Sequence, residues 1–196
     1  MTDPTRWEQA YTTRVPPWDI GRPQPAIEAL PLAGEVIDVG CGTGEHTLLA
    51  AARGASPLGI DISPAAIEIA RKKARERGLG GRARFGVGDA FALRELGEQF
   101  DVAIDSGLFH DHEFDGELRR RYAAGLADVV RPGGTLYLMC FSELTPGDWG
   151  PTRITRQELE EVFGDWTIER LERAVFELNP GLPLDHADAW LLTARR

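Results

Sequence analysis

The sequence predicts a single α/β domain: a seven-stranded sheet with helices on both faces and an antiparallel hairpin at its carboxyl-terminal end. Three observations carry that expectation. Five short apolar runs alternate with helix-length amphipathic segments, the pattern of a parallel sheet covered on both sides. The first run opens directly into a glycine-rich turn. The last two β-prone stretches are joined by a loop too short for a crossover helix, so they should pair antiparallel. At 196 residues, 42% apolar and 27% charged, the chain can bury a core without disulfide or metal staples.

The first thirty residues stand apart. Asp3 and Pro4 can start a short helix that sets Trp7 and Tyr11 on one face, and an extended stretch, Val15 to Pro23, carries Trp18. A proline-rich arm with aromatics ahead of the first strand is expected to act as a flap over the ligand site. The alternative is that the rings only cover an apolar edge. Strands are expected at Glu35–Gly40, Ser56–Ile62, Ala83–Asp89, Phe100–Gly107 and Gly134–Phe141, because buried parallel strands read as nearly continuous apolar runs. A helical segment, His46–Arg53, follows the first strand. After the second, Ser63 offers an N-cap and Pro64 a fixed φ, and Ala66, Ile67, Ala70 and Ala74 recur at helical spacing up to Gly78. Leu118, Tyr122, Leu126 and Val129 form another stripe, ended by Arg131-Pro132-Gly133-Gly134. Thr155 and Glu158 make a capping box ahead of Leu159, Val162 and Phe163. Trp166–Leu178 and Ala189–Ala194 are the hairpin strands. The expected organisation is one domain over 1–196: a flap (1–33), a cofactor-binding core (34–145), and a terminal helix with its hairpin (146–196).

With 22 basic and 31 acidic residues the net charge is −9. Such a surface lacks the cationic groove that nucleic acids or anionic membranes require, which leaves small molecules as partners. Arg71, Lys72, Lys73, Arg75 and Arg77, and the run Arg119-Arg120-Arg121, fall on polar helix faces and read as solvated. Cys41 and Cys140 match no metal or haem spacing and read as buried thiols of a reducing compartment. No signal-peptide or membrane-span pattern is visible, so a cytoplasmic protein is expected, as monomer or homodimer. Neighbours in His110-Asp111-His112-Glu113 can each ligate a metal but rarely converge on one, so no metal is expected. His46 is expected at the helix start beside the glycine turn, and His186 in the hairpin loop facing water.

The strongest local signal is EVIDVGCGTGEH, a strand running into Gly40-Cys41-Gly42-Thr43-Gly44 and then a helix. Glycines there let the chain turn sharply and let a ligand approach the free N–H groups of the helix start. Asp61 closes the second strand, where a carboxylate can accept from both hydroxyls of a ribose. The spacing is G-x-G-x-G. A dinucleotide site needs its third glycine one position later, where Glu45 stands. Asp38, just before the first glycine, would repel a pyrophosphate but could support an ammonium group.

These features together resemble the class I S-adenosylmethionine-dependent methyltransferases, whose sheet is Rossmann-like with seven strands, the last antiparallel. The resemblance implies that Asp38 to Gly44, with Gly40, Cys41, Gly42 and Thr43 between, cradle the methionine part of the cofactor. It implies that Asp61, with Ile62 beside it, binds ribose, and that Asp89, Ala90 and Phe91 hold adenine. The segment Trp18-Asp19-Ile20-Gly21 is similar to the entry segment of the thiopurine, thiol and halide methyltransferase group. That likeness implies transfer of a methyl group to a small acceptor, with a soft nucleophile favoured.

Methyl transfer is an in-line displacement in which much of the catalysis is alignment. An anionic acceptor needs no base; a phenol or amine does. Asp105-Ser106-Gly107-Leu108-Phe109-His110 lies at the fourth strand's carboxyl end, the ligand side of an open α/β sheet. His110 is the base candidate, oriented by Asp111 or Asp105, and Asp105 is also expected among the cofactor-binding residues. Trp18 and Phe109 could face the sulfonium, with Trp7, Tyr11, Phe109 and His110 against the acceptor. An oxidoreductase, or a cofactor-binding module without turnover, are the rival classes.

Overall fold

The computed structural model describes residues 4–13 and 15–196. Its sheet has the order β3-β2-β1-β4-β5-β7-β6, with β1 Glu35–Val39, β2 Ser56–Asp61, β3 Arg84–Val87, β4 Phe100–Ser106, β5 Val130–Phe141, β6 Thr167–Glu177 and β7 His186–Arg195. Strands β1 to β5 run parallel. β7 is inserted antiparallel between β5 and β6. The chain steps outward from β1 to β3 and then returns to β4 on the other side of β1. That reversal opens a crevice at the strands' carboxyl ends.

The helices are α1 Pro4–Thr13, α2 Pro25–Glu28, α3 Glu45–Ala52, α4 Pro64–Glu76, α5 Gly116–Val129 and α6 Arg156–Val162. Ser63 caps α4 by accepting from the Ala66 N–H, and both halves of the Thr155–Glu158 capping box form at α6. Asp3, expected to help start α1, lies outside the described residues. Alternate residues of the sheet feed two apolar layers. Ile37, Val39 and Phe100 pack with Tyr122, Leu126 and Phe163 on one face, and Val36, Ile104 and Met139 pack with Ile27 and Phe176 on the other.

Three boundaries differ from expectation. β3 is shorter than the apolar run suggested, because as the outer strand it pairs with β2 alone. β5 starts at Val130, directly after α5. Val130 pairs with Phe100, and the next pair is Val102 with Thr135, so Arg131 to Gly134 loop out as a bulge that Gly133 permits at φ +80°. His186 is exposed but opens β7 opposite Glu177 instead of lying in the loop. The short α2 and a 3₁₀ turn at Leu93–Leu96 were not signalled by any periodicity.

Gly44 begins α3 at φ +86°, and a methyl group there would stand 2.7 Å from the Phe85 ring and 2.9 Å from Ala70. Gly54 has a similar φ of +90° with nothing within 4 Å. In urea denaturation, Gly54→Ala is expected to lose about 1 kcal/mol from backbone strain alone. Gly44→Ala should lose a further 1–3 kcal/mol, roughly the cost of overpacking; equal losses would place no packing constraint on the glycine turn.

Candidate functional site

A buried aspartate ends each of β1, β2 and β4 or stands one residue before the end. Asp38 Oδ2 accepts from the Thr47 N–H at 3.0 Å and its hydroxyl at 2.6 Å, which pins the start of α3 to β1. Asp61 Oδ2 accepts from the Gly42 N–H at 2.8 Å and Oδ1 from the Ser63 N–H at 2.9 Å. Asp105 accepts from the Leu108 N–H at 2.9 Å and the Phe109 N–H at 3.1 Å. Burial pushes the carboxyl of Asp38 up to about 6 and that of Asp105 up to about 7. The amide bonds oppose that shift while fixing the loops. Gly40, Gly42 and Gly44 take φ of +70°, +52° and +86°, the left-handed turns the loop needs.

Above these strand ends lies a cavity of about 470 Å³, within the ~300–1,000 Å³ usual for small-molecule sites. Gly40, Cys41, Gly42 and Thr43 line one end, followed by Asp61, Ile62, Asp89 and Ala90. Helix α1 crosses the mouth. Glu8 accepts from the Ser63 hydroxyl at 2.5 Å and the Ala65 N–H at 3.1 Å, a carboxylate on the positive end of α4. Arg6 pairs with Asp111 at 3.5 Å. The Tyr11 hydroxyl stands 2.7 Å from where a methyl group on Gly42 would be, and it accepts from Trp18 Nε1 at 3.3 Å. Trp7 meets Trp18 edge-on at 5.5 Å. The aromatic arm therefore packs directly over the glycine loop.

An ionic network beneath the loop joins it to the arm and α4. The Thr43 hydroxyl donates to Asp19 at 2.8 Å, Lys73 donates to Thr43 at 2.6 Å and to Glu45 at 2.8 Å, and Arg77 forks onto Glu45 at 2.7 and 2.8 Å. Burial works against the Glu45 charge, but Arg77 and Lys73 hold its carboxyl below the ordinary value. Lys73 and Arg77 thus do not belong to a merely solvated face. Arg119 also departs from that expectation: it is buried, 3.2 Å from Glu158.

The cavity's other end is lined by His110, Phe141, Trp149, Phe176, Leu178 and Leu182. The Phe141 N–H donates to His110 Nδ1 at 2.8 Å, which assigns the ring proton to Nε2. That nitrogen would stand 3.2 Å from a methyl group on Gly107. Burial pushes His110 down to about 3. His46, also in the wall, accepts from the Gln24 N–H through Nε2 at 3.1 Å, and burial pushes it down to about 4. Gln24 was not anticipated as a site residue. Its side chain brackets the Glu177 backbone, accepting at 2.9 Å and donating at 3.0 Å, and so ties the arm to the end of β6.

Several expected site residues lie behind the wall. Phe109 is fully buried, 5.5 Å from the Phe163 ring and beneath the Arg119 guanidinium, so it is core and cannot touch an acceptor. Phe91 turns away to pack on Phe114 at 4.9 Å; only its N–H, donated to Asp89 at 2.8 Å, serves the loop. Asp38, Gly44 and Asp105 act on the wall through hydrogen bonds and packing. Trp7, Tyr11 and Trp18 do line it.

The residues present fit S-adenosylmethionine. Asp61 keeps unused lone pairs at the cavity wall, and the aromatic side chains of Trp7, Tyr11 and Trp18 line the same space as the glycine loop, where they suit a cationic sulfur. Ser106 Oγ and Asp111 Oδ2, on two further wall residues, are buried without a partner among the described residues, a cost that a ligand group can relieve. The histidines make acid stability a test of this geometry. Folded His110 titrates near 3, against an ordinary 6.5, so the unfolded ring binds a proton that the folded ring refuses, and stability is lost as pH falls through that interval. His110→Asn can still accept from Phe141 but cannot titrate. In urea titrations from pH 6 to pH 4, wild type should lose up to about 1.4 kcal/mol per pH unit relative to the variant; parallel curves would contradict the assigned ring state.

A methyltransferase-domain family profile matches residues 36–134. The chain is 34% identical to the 2-heptyl-1-hydroxyquinolin-4(1H)-one methyltransferase of Mycobacteroides abscessus, over 81% of this chain and 72% of that one. It is 28% identical to a probable thiol methyltransferase of Arabidopsis thaliana, over 80% and 70%. A solved structure described for the conversion of a disulfide bond into a thioacetal group during echinomycin biosynthesis superposes with a TM-score of 0.86 at 35% identity, covering 98% of this chain and 92% of its own. Profile, relatives and architecture agree with one another, and the chain belongs to the class I S-adenosylmethionine-dependent methyltransferases, as one that methylates small molecules.

Proposed function

We propose that the enzyme methylates an acceptor whose attacking atom arrives already deprotonated: a thiolate, or another soft nucleophile such as a thiopurine or halide. The state of the two cavity histidines carries this reading. His110 commits its Nδ1 lone pair to Phe141, and His46 commits Nε2 to Gln24. Both rings line the cavity, the remaining nitrogen of each carries the hydrogen, and neither offers a base. Such donors steady an anion but cannot remove a proton. The relative named as a probable thiol methyltransferase supports the same choice.

When bound, S-adenosylmethionine supplies an electrophilic methyl group on a sulfonium. In this reading the Gly40 to Gly44 turn and the start of α3 hold its amino-acid end, Asp61 and Ile62 its ribose, and Asp89 with Ala90 its adenine. Trp18 and Tyr11 close over it. The acceptor occupies the apolar end, where His110 Nε2–H orients the attacking atom and Phe141 and Phe176 exclude water from it. Alignment of this kind reaches effective molarities up to ~10⁸ M.

Methylation of a phenolic or heteroaromatic oxygen or nitrogen is the second reading. His110 as its base loses support, because the Phe141 N–H occupies the lone pair. One observation favours Asp111 in that role: Oδ2 is buried without a partner among the described residues, and burial holds the carboxyl above its ordinary value. The name of the hydroxyquinolinone methyltransferase is in keeping with it.

S-adenosylhomocysteine formation measured against hydrosulfide, iodide, an aryl thiol, a thiopurine, a catechol and a heteroaromatic amine separates the two. Turnover of the sulfur and halide members is expected, with kcat/KM for the aryl thiol following the thiol's own ionisation and no enzyme group titrating. Turnover confined to the catechol or amine, abolished by Asp111→Asn, would overturn the soft-nucleophile reading.

A further inference from the structure

The wall beside His110 is organised by one side chain that no expectation singled out. After β5 the chain leaves the sheet and returns through a parallel bridge between Ser142 and Ile154. The Ile154 N–H donates to the Phe141 carbonyl and the Thr152 N–H to the His110 carbonyl, each at 3.0 Å. Inside the loop lies the half-buried guanidinium of Arg153. It donates to the carbonyls of Trp149 at 2.6 Å and Pro151 at 2.8 Å, and more loosely to Thr145 and Gly147 at 3.4 Å. These are four alternate residues of one loop, gathered on one cation. The same guanidinium lies 5.4 Å over the Phe141 ring. Among the described residues it makes no salt bridge to a carboxylate; Asp148 acts on its charge from a distance, and the bonds it makes are to the loop's carbonyls. Gly150 lets the backbone come close, at φ +97°, and a methyl group there would stand 3.2 Å from the Phe141 ring. Trp149, Gly150, Pro151 and Phe141 all line the cavity.

We propose that Arg153 is a positioning residue that sets acceptor specificity: by gathering these carbonyls it fixes Trp149 to Pro151 and Phe141 as the surface against which the acceptor is aligned. The inference rests on the reading that the His110 end of the cavity takes the acceptor. Charge-assisted bonds from a planar fork are strong and directional. An ammonium is a compact point charge with three donors, which cannot span four spread carbonyls, so lysine is not a substitute. Loss of the fork returns the carbonyls to water and frees the wall. The cofactor end is held separately, by Asp38, Asp61 and the Glu45 network, and is left intact.

The test uses the full chain carrying Arg153→Lys, Arg153→Met or Gly150→Ala. The last crowds Phe141 at 3.2 Å and meets the guanidinium only at ordinary contact distance, 3.7 Å from Arg153 Nη1, so the wall can still be probed if the arginine variants fold poorly. S-adenosylhomocysteine affinity, thermal unfolding, and kcat/KM for hydrosulfide and for an aryl thiol are measured on each. The expected result is S-adenosylhomocysteine affinity within about twofold of wild type and a fall of about 10- to 100-fold for the aryl thiol, the scale of a misplaced reactant. Hydrosulfide, too small to lean on the wall, should change little, and lysine should behave like methionine. Equal losses for both acceptors alongside a lowered melting temperature, or no loss with either, would overturn the proposal. Weakened cofactor affinity with acceptor preference intact would instead overturn the assignment of the cavity's two ends. Absence of turnover with either thiol in the wild type would be the failure of the soft-nucleophile reading, seen before any variant is made.

Discussion

The site depends on three carboxylates buried where β1, β2 and β4 finish. Each has left water, and an unpaired buried charge is among the most costly groups a fold can hold. Each is reconciled with its surroundings by main-chain N–H groups of the segments that leave the strand ends: Thr47 for Asp38, Gly42 of the glycine turn and Ser63 for Asp61, Leu108 and Phe109 for Asp105. Because those donors lie in loops or at the start of a helix, satisfying the acids fixes those segments. The glycine turn, the start of α4 and the approach to His110 all take their positions from this exchange. It is stationed at the crevice where the chain reverses direction across the sheet.

A second tier of contacts ties segments remote in sequence to that frame. The arm reaches α4 through Glu8, the segment after β4 through Arg6, the glycine loop through Tyr11 and Asp19, and the hairpin loop through Asn179. The Asn179 side chain donates to the carbonyls of Pro16 and Asp19. With Gln24 clasped to Glu177 and His46, the arm is part of the enclosure on several sides. Opening it means releasing contacts to both ends of the cavity together.

Much of this was legible in the residues. Apolar runs marked β1 to β5, because a strand covered on both faces has little freedom in composition; the last two strands were marked by β-prone stretches joined by a short loop, and Ser63, Pro64, Thr155 and Glu158 marked helix starts through chemistry local to four residues. The strand-end aspartates were visible for the same reason. What they do was less so: Asp38 and Asp105 were read as touching ligand, when their oxygens are taken by amides behind the wall. Phe109 alternates with its neighbours in a loop, and sequence spacing does not say which side of a loop faces the core. Lys73, Arg77 and Arg119 sit in basic runs that read as solvated, and only the packing of α4 on the glycine loop and α6 beside α5 reveals their partners. The Gln24 to His46 bond and the Arg153 hub involve main-chain groups, which leave no trace in residue identity. A clue for Arg153 did exist, in a loop rich in glycine and proline that nonetheless carried an arginine just before the capping box.

The placement of β7 has a consequence for how the molecule is made. β7 follows β6 in the chain yet separates it from β5, pairing with β5 along Thr135 to Phe141 and with β6 along most of its length. During synthesis β6 emerges with no strand to join, and the apolar edge of β5 stays open until β7 has left the ribosome. Two elements must then enter the sheet together, through contacts distant in sequence, which is the slow kind of step in folding. The first five strands can assemble as the chain emerges. The wall contributed by Phe176 and Leu178 forms after them, so the nascent enzyme acquires its cofactor cradle before the far side of its cavity.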